Sequence, residues 1–167
     1  QHIFGGEIVL QVHLNFLLWY TPILIECSAL VNSPKEDPVL NILSIFVGGG
    51  LGAVLRYAIS RLISNHQDTL FPWGTFTVNI IGAFAIGFLF QLFDRIFLTE
   101  ELRNLITIGF IGAFSTFSIF TMESVVLLRG GNFGVGVLYF FGSGVAGLAA
   151  VGIGLFLGDI VLKMMRY

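Results

Sequence analysis

The sequence predicts an all-α integral membrane protein with four transmembrane helices, and its composition and its apolar stretches both indicate this fold class. Of its 167 residues, 56% are hydrophobic and only 11% are charged, with a mean hydropathy of +0.92. Soluble domains are about 45–50% apolar and about 25% charged, so this chain lacks the polar residues needed to cover a water-exposed surface. Four apolar stretches approach or exceed the roughly 20 residues that span a bilayer as a helix. The 21 glycines and 18 phenylalanines are typical of closely packed membrane helices.

The same composition excludes several classes of function. The net charge of −2 provides no basic surface, so we expect no nucleic-acid partner. Cys27 is the only cysteine, which excludes an intrachain disulfide and a thiolate metal cluster. The sequence contains no P-loop, nucleophile elbow or H-E-x-x-H motif. We therefore expect a protein that is not an enzyme.

The first predicted span covers residues 42–63 and is broken only by Arg56 near its end. Gly48 and Gly52 form a small-xxx-small pair, which allows another helix to approach closely. The second span covers residues 74–93. It follows a Pro-Trp pair that suits a helix start at the level of the lipid headgroups.

The third span, residues 104–128, is unusual because its middle is rich in small and hydroxylated residues. They lie between Gly112 and Glu123, and they are Ser115, Thr116, Ser118 and Thr121. One interpretation is a helix broken at mid-membrane, whose exposed carbonyls could hold a cation. The other is a continuous helix that the hydroxyl side chains only bend. The fourth span covers about residues 133–162.

Side chains at helical spacing suggest a polar route through these spans. Phe117 and Phe120 share a helix face, and their positive ring edges could receive a small desolvated anion, although packing is the alternative. Two further pairs at i, i+4 spacing could line a hydrogen-bonding track or join helices, namely Thr75 with Asn79 and Tyr139 with Ser143. Arg56 and Glu123 are ionisable residues in or near spans, which makes them candidates for function or for snorkelling to the interface.

Residues 1–40 differ from the rest and are predicted to be an extra N-terminal segment outside the four-helix unit at 41–167. Residues 8–30 could form a fifth helix, or the segment could be upstream sequence. Cationic residues of the four-helix unit are nearly balanced between its two sides, with Arg95, Arg103, Lys163 and Arg166 opposing Arg56, Arg61 and Arg129. This weak bias is compatible with insertion in both orientations, and so with an antiparallel homodimer.

Three sequence blocks together resemble the Fluc/CrcB family of fluoride channels. They cover residues 48–57 (GGGLGAVLRY), 72–82 (PWGTFTVNIIG) and 109–123 (GFIGAFSTFSIFTME), in the order and at the spacing of that family. The resemblance extends over residues 41–167, and residues 1–40 match nothing in the family pattern.

The resemblance implies a passive, fluoride-selective channel in the cell membrane that exports cytoplasmic fluoride and lowers its toxicity. It implies an antiparallel, dual-topology homodimer with four helices per subunit and two pores. The third helix would be broken at mid-membrane, and the carbonyls of Gly112 and Ser115 from both subunits would hold a structural sodium ion. Serine at position 115 departs from the family's usual threonine, which matters little for a carbonyl ligand.

The resemblance also implies roles for individual side chains. Phe117, Phe120 and Asn79 match the family's pore residues. Thr75, Tyr139 and Ser143 match its polar track, whereas Gly147 stands where the family often has a further hydroxyl. Other polar residues that match the family's blocks are Arg56, Thr116, Ser118 and Glu123.

Two other functions remain open from the residues alone. A small coupled transporter needs a titratable acid within a helix, and Glu123 is the internal candidate. A non-transporting membrane anchor or assembly subunit would leave the polar cluster of the third span without a purpose.

Overall fold

The computed structural model describes residues 37–65, 69–93 and 97–165, and these residues form an all-helical fold. Four helical stretches are long and apolar enough to cross a membrane: Pro38–Ser64, Trp73–Phe93, Glu100–Arg129 and Phe133–Met164. This confirms the predicted all-α membrane fold with four spans. The proposed extra segment at 1–40, apart from its last four residues, and the possible fifth helix at 8–30 lie outside the described residues.

We number the α-helices in chain order. The first two spans are α1 (Pro38–Ser64) and α2 (Trp73–Phe93), and the fourth span is α6 (Phe133–Met164). The third span is composite. It comprises α3 (Glu100–Asn104), a π-helical segment (Leu105–Ile111), α4 (Gly112–Phe114) and α5 (Phe117–Arg129).

Local capping determines where several helices begin. The Asp37 side chain accepts a hydrogen bond of 3.0 Å from the Val39 N–H, and Pro38 occupies the first helical position, where its missing N–H costs nothing. The helix α1 therefore begins at Pro38, before the apolar stretch that predicted it. Between α5 and α6 the chain turns at Gly131, whose φ of 79° is unfavourable for residues with a Cβ.

Glycine residues bring α1 against the π-helical segment. A Cβ on Gly48 would overlap the Leu105 carbonyl oxygen, and one on Gly52 would overlap that of Phe110. From the opposite side, a Cβ on Gly109 would lie 2.8 Å from the Ile45 carbonyl oxygen. The close approach predicted for Gly48 and Gly52 is confirmed, and it places α1 directly beside the third span.

The helices α2 and α6 pack in the same way. A Cβ on Gly87 would overlap the Val151 carbonyl oxygen, and a Cβ on Gly154 would overlap that of Phe84. Large apolar side chains instead point outward along every span, where they suit a lipid environment. Most large apolar side chains therefore face outward, while the buried positions combine glycines, a few polar groups and a small cluster of Phe120, Leu127 and Tyr139.

Candidate functional site

The helical hydrogen bonding of the third span is interrupted at two residues. Ser115 has φ −85° and ψ 156°, and Thr116 has φ −146° and ψ 120°, so both are extended between α4 and α5. A new helix then begins at Phe117, where the Thr116 side chain caps it by accepting a bond of 3.5 Å from the Ile119 N–H. Backbone groups within the span consequently need partners other than their usual helical ones.

Asn79 of α2 supplies two of those partners. Its Oδ1 accepts from the Thr116 N–H at 2.8 Å, and its Nδ2 donates to the Thr116 carbonyl oxygen at 3.1 Å. This amide thus pairs with an extended residue as a neighbouring strand would. An asparagine in an apolar span needs hydrogen-bond partners, and the backbone of Thr116 provides them.

The interruption removes the helical donors of four successive carbonyls, those of residues 112–115. In a continuous helix the Thr116 N–H would donate to the Gly112 oxygen, but it donates to Asn79 instead. Among the described residues only the Ala113 oxygen receives a replacement donor, which is the Nε of Arg56 at 3.1 Å. The carbonyls of Gly112, Phe114 and Ser115 receive no hydrogen bond from the described protein groups.

A second polar cluster lies beside this interruption and centres on Glu123 of α5. Thr75 Oγ1 donates to its Oε1 at 2.9 Å, and Tyr139 Oη donates to its Oε2 at 2.7 Å. Thr75 is 6% exposed and Tyr139 is fully buried, so these hydroxyls satisfy a carboxylate inside an apolar bundle. Three spans therefore meet at one carboxylate.

The two phenylalanines of α5 have different environments. Phe120 is buried and packs against the ring of Tyr139, with ring centroids 5.0 Å apart. Phe117 is 76% exposed, and its centroid lies 6.0 Å from that of Phe120. A core role therefore explains Phe120 in part, whereas it does not explain an aromatic side chain at Phe117.

Two open grooves flank Thr116. The first, which we call the interruption groove, has a volume of about 410 Å³ and is lined by residues of α2 and the third span, including Asn79, Gly112, Ser115, Phe117 and Phe120. The second, which we call the arginine groove, has a volume of about 360 Å³ and is lined by Arg56, Arg61, Thr75 and Glu123, among others. Thr116 lines both grooves. The predicted residues that line at least one of the two grooves are Arg56, Thr75, Asn79, Gly112, Ser115, Thr116, Phe117, Phe120 and Glu123.

Three other positions singled out from the sequence line neither groove. The Ser143 hydroxyl is buried and has no hydrogen-bond partner within the described part of the chain. Ser118 is exposed, with its Oγ 3.5 Å from the Thr116 hydroxyl oxygen. A side chain at Gly147 would meet nothing within 4 Å among the described atoms, so the space beside it is open.

The donor chemistry limits which metal these residues could hold. Residues 37–65, 69–93 and 97–165 contain no group of three or more His, Cys, Asp or Glu side chains that could bind a metal. The uncapped carbonyls of Gly112 and Ser115 instead offer neutral oxygen ligands, which suit a hard cation of low charge. These two oxygens therefore fit such a cation as ligands.

Sequence reasoning missed two features of the site. The contact between Arg56 and the Ala113 carbonyl joins residues 57 positions apart, and a backbone acceptor carries no side-chain signal. The shared bonding of Thr75 and Tyr139 to Glu123 was also missed. The presence of an acid in an apolar span was the available signal, since such a group requires donors nearby.

Comparison with known proteins gives consistent matches. A model of the family described as CrcB-like protein, Camphor Resistance (CrcB), matches residues 43–155. A protein of Phocaeicola vulgatus named fluoride-specific ion channel FluC is 42% identical over 119 residues, which cover 71% of this chain and 98% of that protein. Proteins of the same name from Bacteroides fragilis and a Hydrogenobaculum species are 44% identical over 121 residues and 39% identical over 128 residues. These two alignments cover 71% and 73% of this chain, and 95% and 100% of the respective relatives.

Proposed function

Because this chain belongs to the CrcB family, we propose that it is a fluoride-specific ion channel. It is a multi-pass protein of the cell membrane, and its family is one of transport proteins rather than enzymes. The observation that carries the proposal is the convergence of Asn79, Thr75, Glu123 and Tyr139 inside an apolar bundle, next to an exposed phenylalanine. Polar side chains at such depth are costly unless they serve a path or a site.

The interruption groove offers contacts that could replace the hydration shell of fluoride. Fluoride is small and strongly hydrated, so a conducting path must present hydrogen-bond donors and positive edges in sequence. The Asn79 amide has a second N–H beyond the one that binds Thr116. The positive edges of Phe117 and Phe120, which line the same groove, complete a narrow anion site on this proposal.

Farther along the path, the hydroxyls of Thr75 and Tyr139 must change partner for an anion to pass. Both donate to Glu123 in the structure. Rotation of either hydroxyl would transfer its donor from the carboxylate to a passing ion. We assign the buried Ser143 hydroxyl to the next position of the same track.

We further propose that the interruption lies at mid-membrane and that the carbonyls of Gly112 and Ser115 hold a structural sodium ion. The proposal is supported by the lack of protein donors to these two oxygens among the described residues. A sodium ion bound there would supply a fixed positive charge in a low-dielectric environment, which favours entry of an anion. Asn79 maintains this geometry from α2 by engaging the Thr116 N–H.

We also propose an antiparallel, dual-topology homodimer with two pores. Gly112 and Phe117 are exposed in the single chain, and the interruption groove is open on that side. A second copy would close the groove and complete the coordination of the cation.

Export of fluoride follows from the membrane potential, which drives an anion out of a negative interior with about 2.3 kcal/mol per charge per 100 mV.

Ion efflux from liposomes tests the proposed function directly. Purified protein is reconstituted into vesicles loaded with equal concentrations of fluoride and chloride, and both ions are followed by selective electrodes. We expect rapid fluoride efflux and chloride efflux no faster than from protein-free vesicles. Equal efflux of the two ions, or none of either, would contradict the proposal.

Coupled transport is a second candidate because Glu123 is a carboxyl group that accepts two hydrogen bonds inside the bundle. A proton-coupled carrier would accumulate fluoride against its gradient when a pH gradient is imposed. The substitution Glu123→Gln would abolish that accumulation. A channel instead dissipates a fluoride gradient at any pH difference, so the same vesicles distinguish the two functions.

A further inference from the structure

We propose that Arg56 is a positioning residue that selects which backbone carbonyls of the interruption are open to a cation. The inference rests on the proposed function, since it concerns the sodium site described above. Its basis is one contact, in which the Arg56 Nε donates to the Ala113 oxygen at 3.1 Å from the neighbouring helix α1.

The pattern of partners at the interruption is selective. Four successive carbonyls lose their helical donors, and Arg56 engages only the second of them. Ala113 lies between Gly112 and Ser115, whose carbonyl oxygens are the two proposed sodium ligands. A guanidinium engaged with the intervening carbonyl therefore acts at the centre of the ligand-bearing segment.

A charged donor makes this contact stronger than a bond between neutral groups. Its first effect is to hold the Ala113 peptide plane in one orientation, which restricts rotation of the two adjoining peptides. Its second effect is to occupy an oxygen that would otherwise compete as a cation ligand. Both effects leave the Gly112 and Ser115 oxygens as the available ligands.

A simpler role for Arg56 is a positive charge that attracts anions into the arginine groove. Arg61 provides the matched comparison, because it also lines this groove and lies on the same helix. Its guanidinium bonds to the Tyr57 hydroxyl, and within the described part of the chain it makes no hydrogen bond to the interruption. A charge effect would be shared by the two arginines, whereas a positioning effect would belong to Arg56 alone.

The test compares Arg56→Gln with Arg61→Gln by two measurements. The first is hydrogen–deuterium exchange of the segment 113–118 in detergent with sodium and without fluoride. We expect the amides of Ser115 and Thr116 to exchange about tenfold faster in Arg56→Gln, a change of about 1.4 kcal/mol. We expect Arg61→Gln to exchange like the wild type.

The second measurement is the sodium concentration that gives half-maximal fluoride efflux from vesicles. We expect it to rise about tenfold in Arg56→Gln and to remain unchanged in Arg61→Gln. Unchanged exchange in Arg56→Gln, or equal shifts in the two variants, would overturn the inference. If wild-type vesicles pass no fluoride, the proposed function fails, while the exchange measurement still decides whether Arg56 orders the interruption.

Arg56→Lys covers the case in which Arg56→Gln does not yield folded protein. Lysine keeps the positive charge but lacks the planar Nε donor that reaches Ala113. We expect Arg56→Lys to exchange at least about threefold faster than the wild type at Ser115 and Thr116. Wild-type exchange in this folded variant would show that charge alone is sufficient, which would overturn the inference.

Discussion

The interface between α2 and α6 and the interruption of the third span both rely on small residues, but they use the resulting space in opposite ways. At Gly87 and Gly154 the two backbones approach until no Cβ would fit. At Gly112 and Ser115 the space is left open as part of a groove of about 410 Å³. Small residues in a membrane helix therefore do not by themselves distinguish packing from a site.

The two regions differ in where their backbone N–H and carbonyl groups find hydrogen-bond partners. The helices α2 and α6 are continuous over 21 and 32 residues and bond internally, so they need only fit against each other. The interruption depends on side chains of other spans, with Asn79 and Arg56 bonded to its backbone. Substitutions should consequently affect the first region through shape and the second through lost hydrogen bonds.

The largest expected effect is at the packed interface. Gly154→Leu would force side-chain atoms into Phe84 and Phe88 of α2, where a Cβ would already lie 2.8 Å from the Phe88 nitrogen. We expect the free energy of unfolding to fall by more than about 3 kcal/mol. Size-exclusion chromatography should show little monodisperse protein. The matched control is Gly152→Leu on the same helix, where the added side chain meets nothing within 4 Å of its Cβ. Similar yields of the two variants would contradict close backbone packing at Gly154.

The next effect is at the hydrogen bonds that hold the interruption. Asn79→Ala leaves both the N–H and the carbonyl of Thr116 without the partner they have now. We expect each unpaired group to cost about 1–3 kcal/mol, measured by thermal unfolding, together with a loss of fluoride efflux. Asn104→Ala removes a bond of 3.3 Å to Asn41 near the start of the third span and should preserve efflux. Wild-type efflux in Asn79→Ala would remove this asparagine from the proposed site.

A third variant separates the exposed aromatic residue from packing. Phe117→Ile should reduce fluoride efflux by about tenfold, which corresponds to about 1.4 kcal/mol in the barrier, because the positive ring edge is lost. Size-exclusion chromatography should still show the wild-type oligomer, because Phe117 is 76% exposed and takes little part in packing within the chain. Phe141→Ile, at a residue that is 66% exposed and lines neither groove, should leave efflux unchanged. Equal efflux from both variants would refute the ring-edge role.

The smallest effect is predicted at the exposed end of α6. Lys163 forms an ion pair of 2.7 Å with Asp159 one turn earlier, and the two side chains are 70% and 43% exposed. Lys163→Ala should change the free energy of unfolding by no more than about 0.5 kcal/mol. Calorimetry at low and high salt would check this value, and efflux should not change. A larger loss of unfolding free energy would show that this ion pair stabilises α6 more than an exposed pair should.

Much of this architecture could be read from composition and spacing. Four apolar stretches indicated the four spans because crossing a bilayer requires a helix of a particular length and hydropathy. The pair Gly48 and Gly52 indicated a close helix contact, which the structure confirms. The cluster around Ser115 and Thr116 marked the third span as unusual, with bending and interruption as equal alternatives, and both residues have extended dihedral angles in the structure.

The sequence by itself determined the membrane environment, the number of spans and the residue types that require polar partners, because these follow from hydrophobicity and from the cost of burying polar groups. Only the tertiary structure decided which partners they find. Asn79 bonds to the Thr116 backbone, Arg56 reaches Ala113, and two hydroxyls converge on Glu123. Such pairings depend on how separate helices rotate and pack, and no spacing along one helix specifies the register of its neighbours.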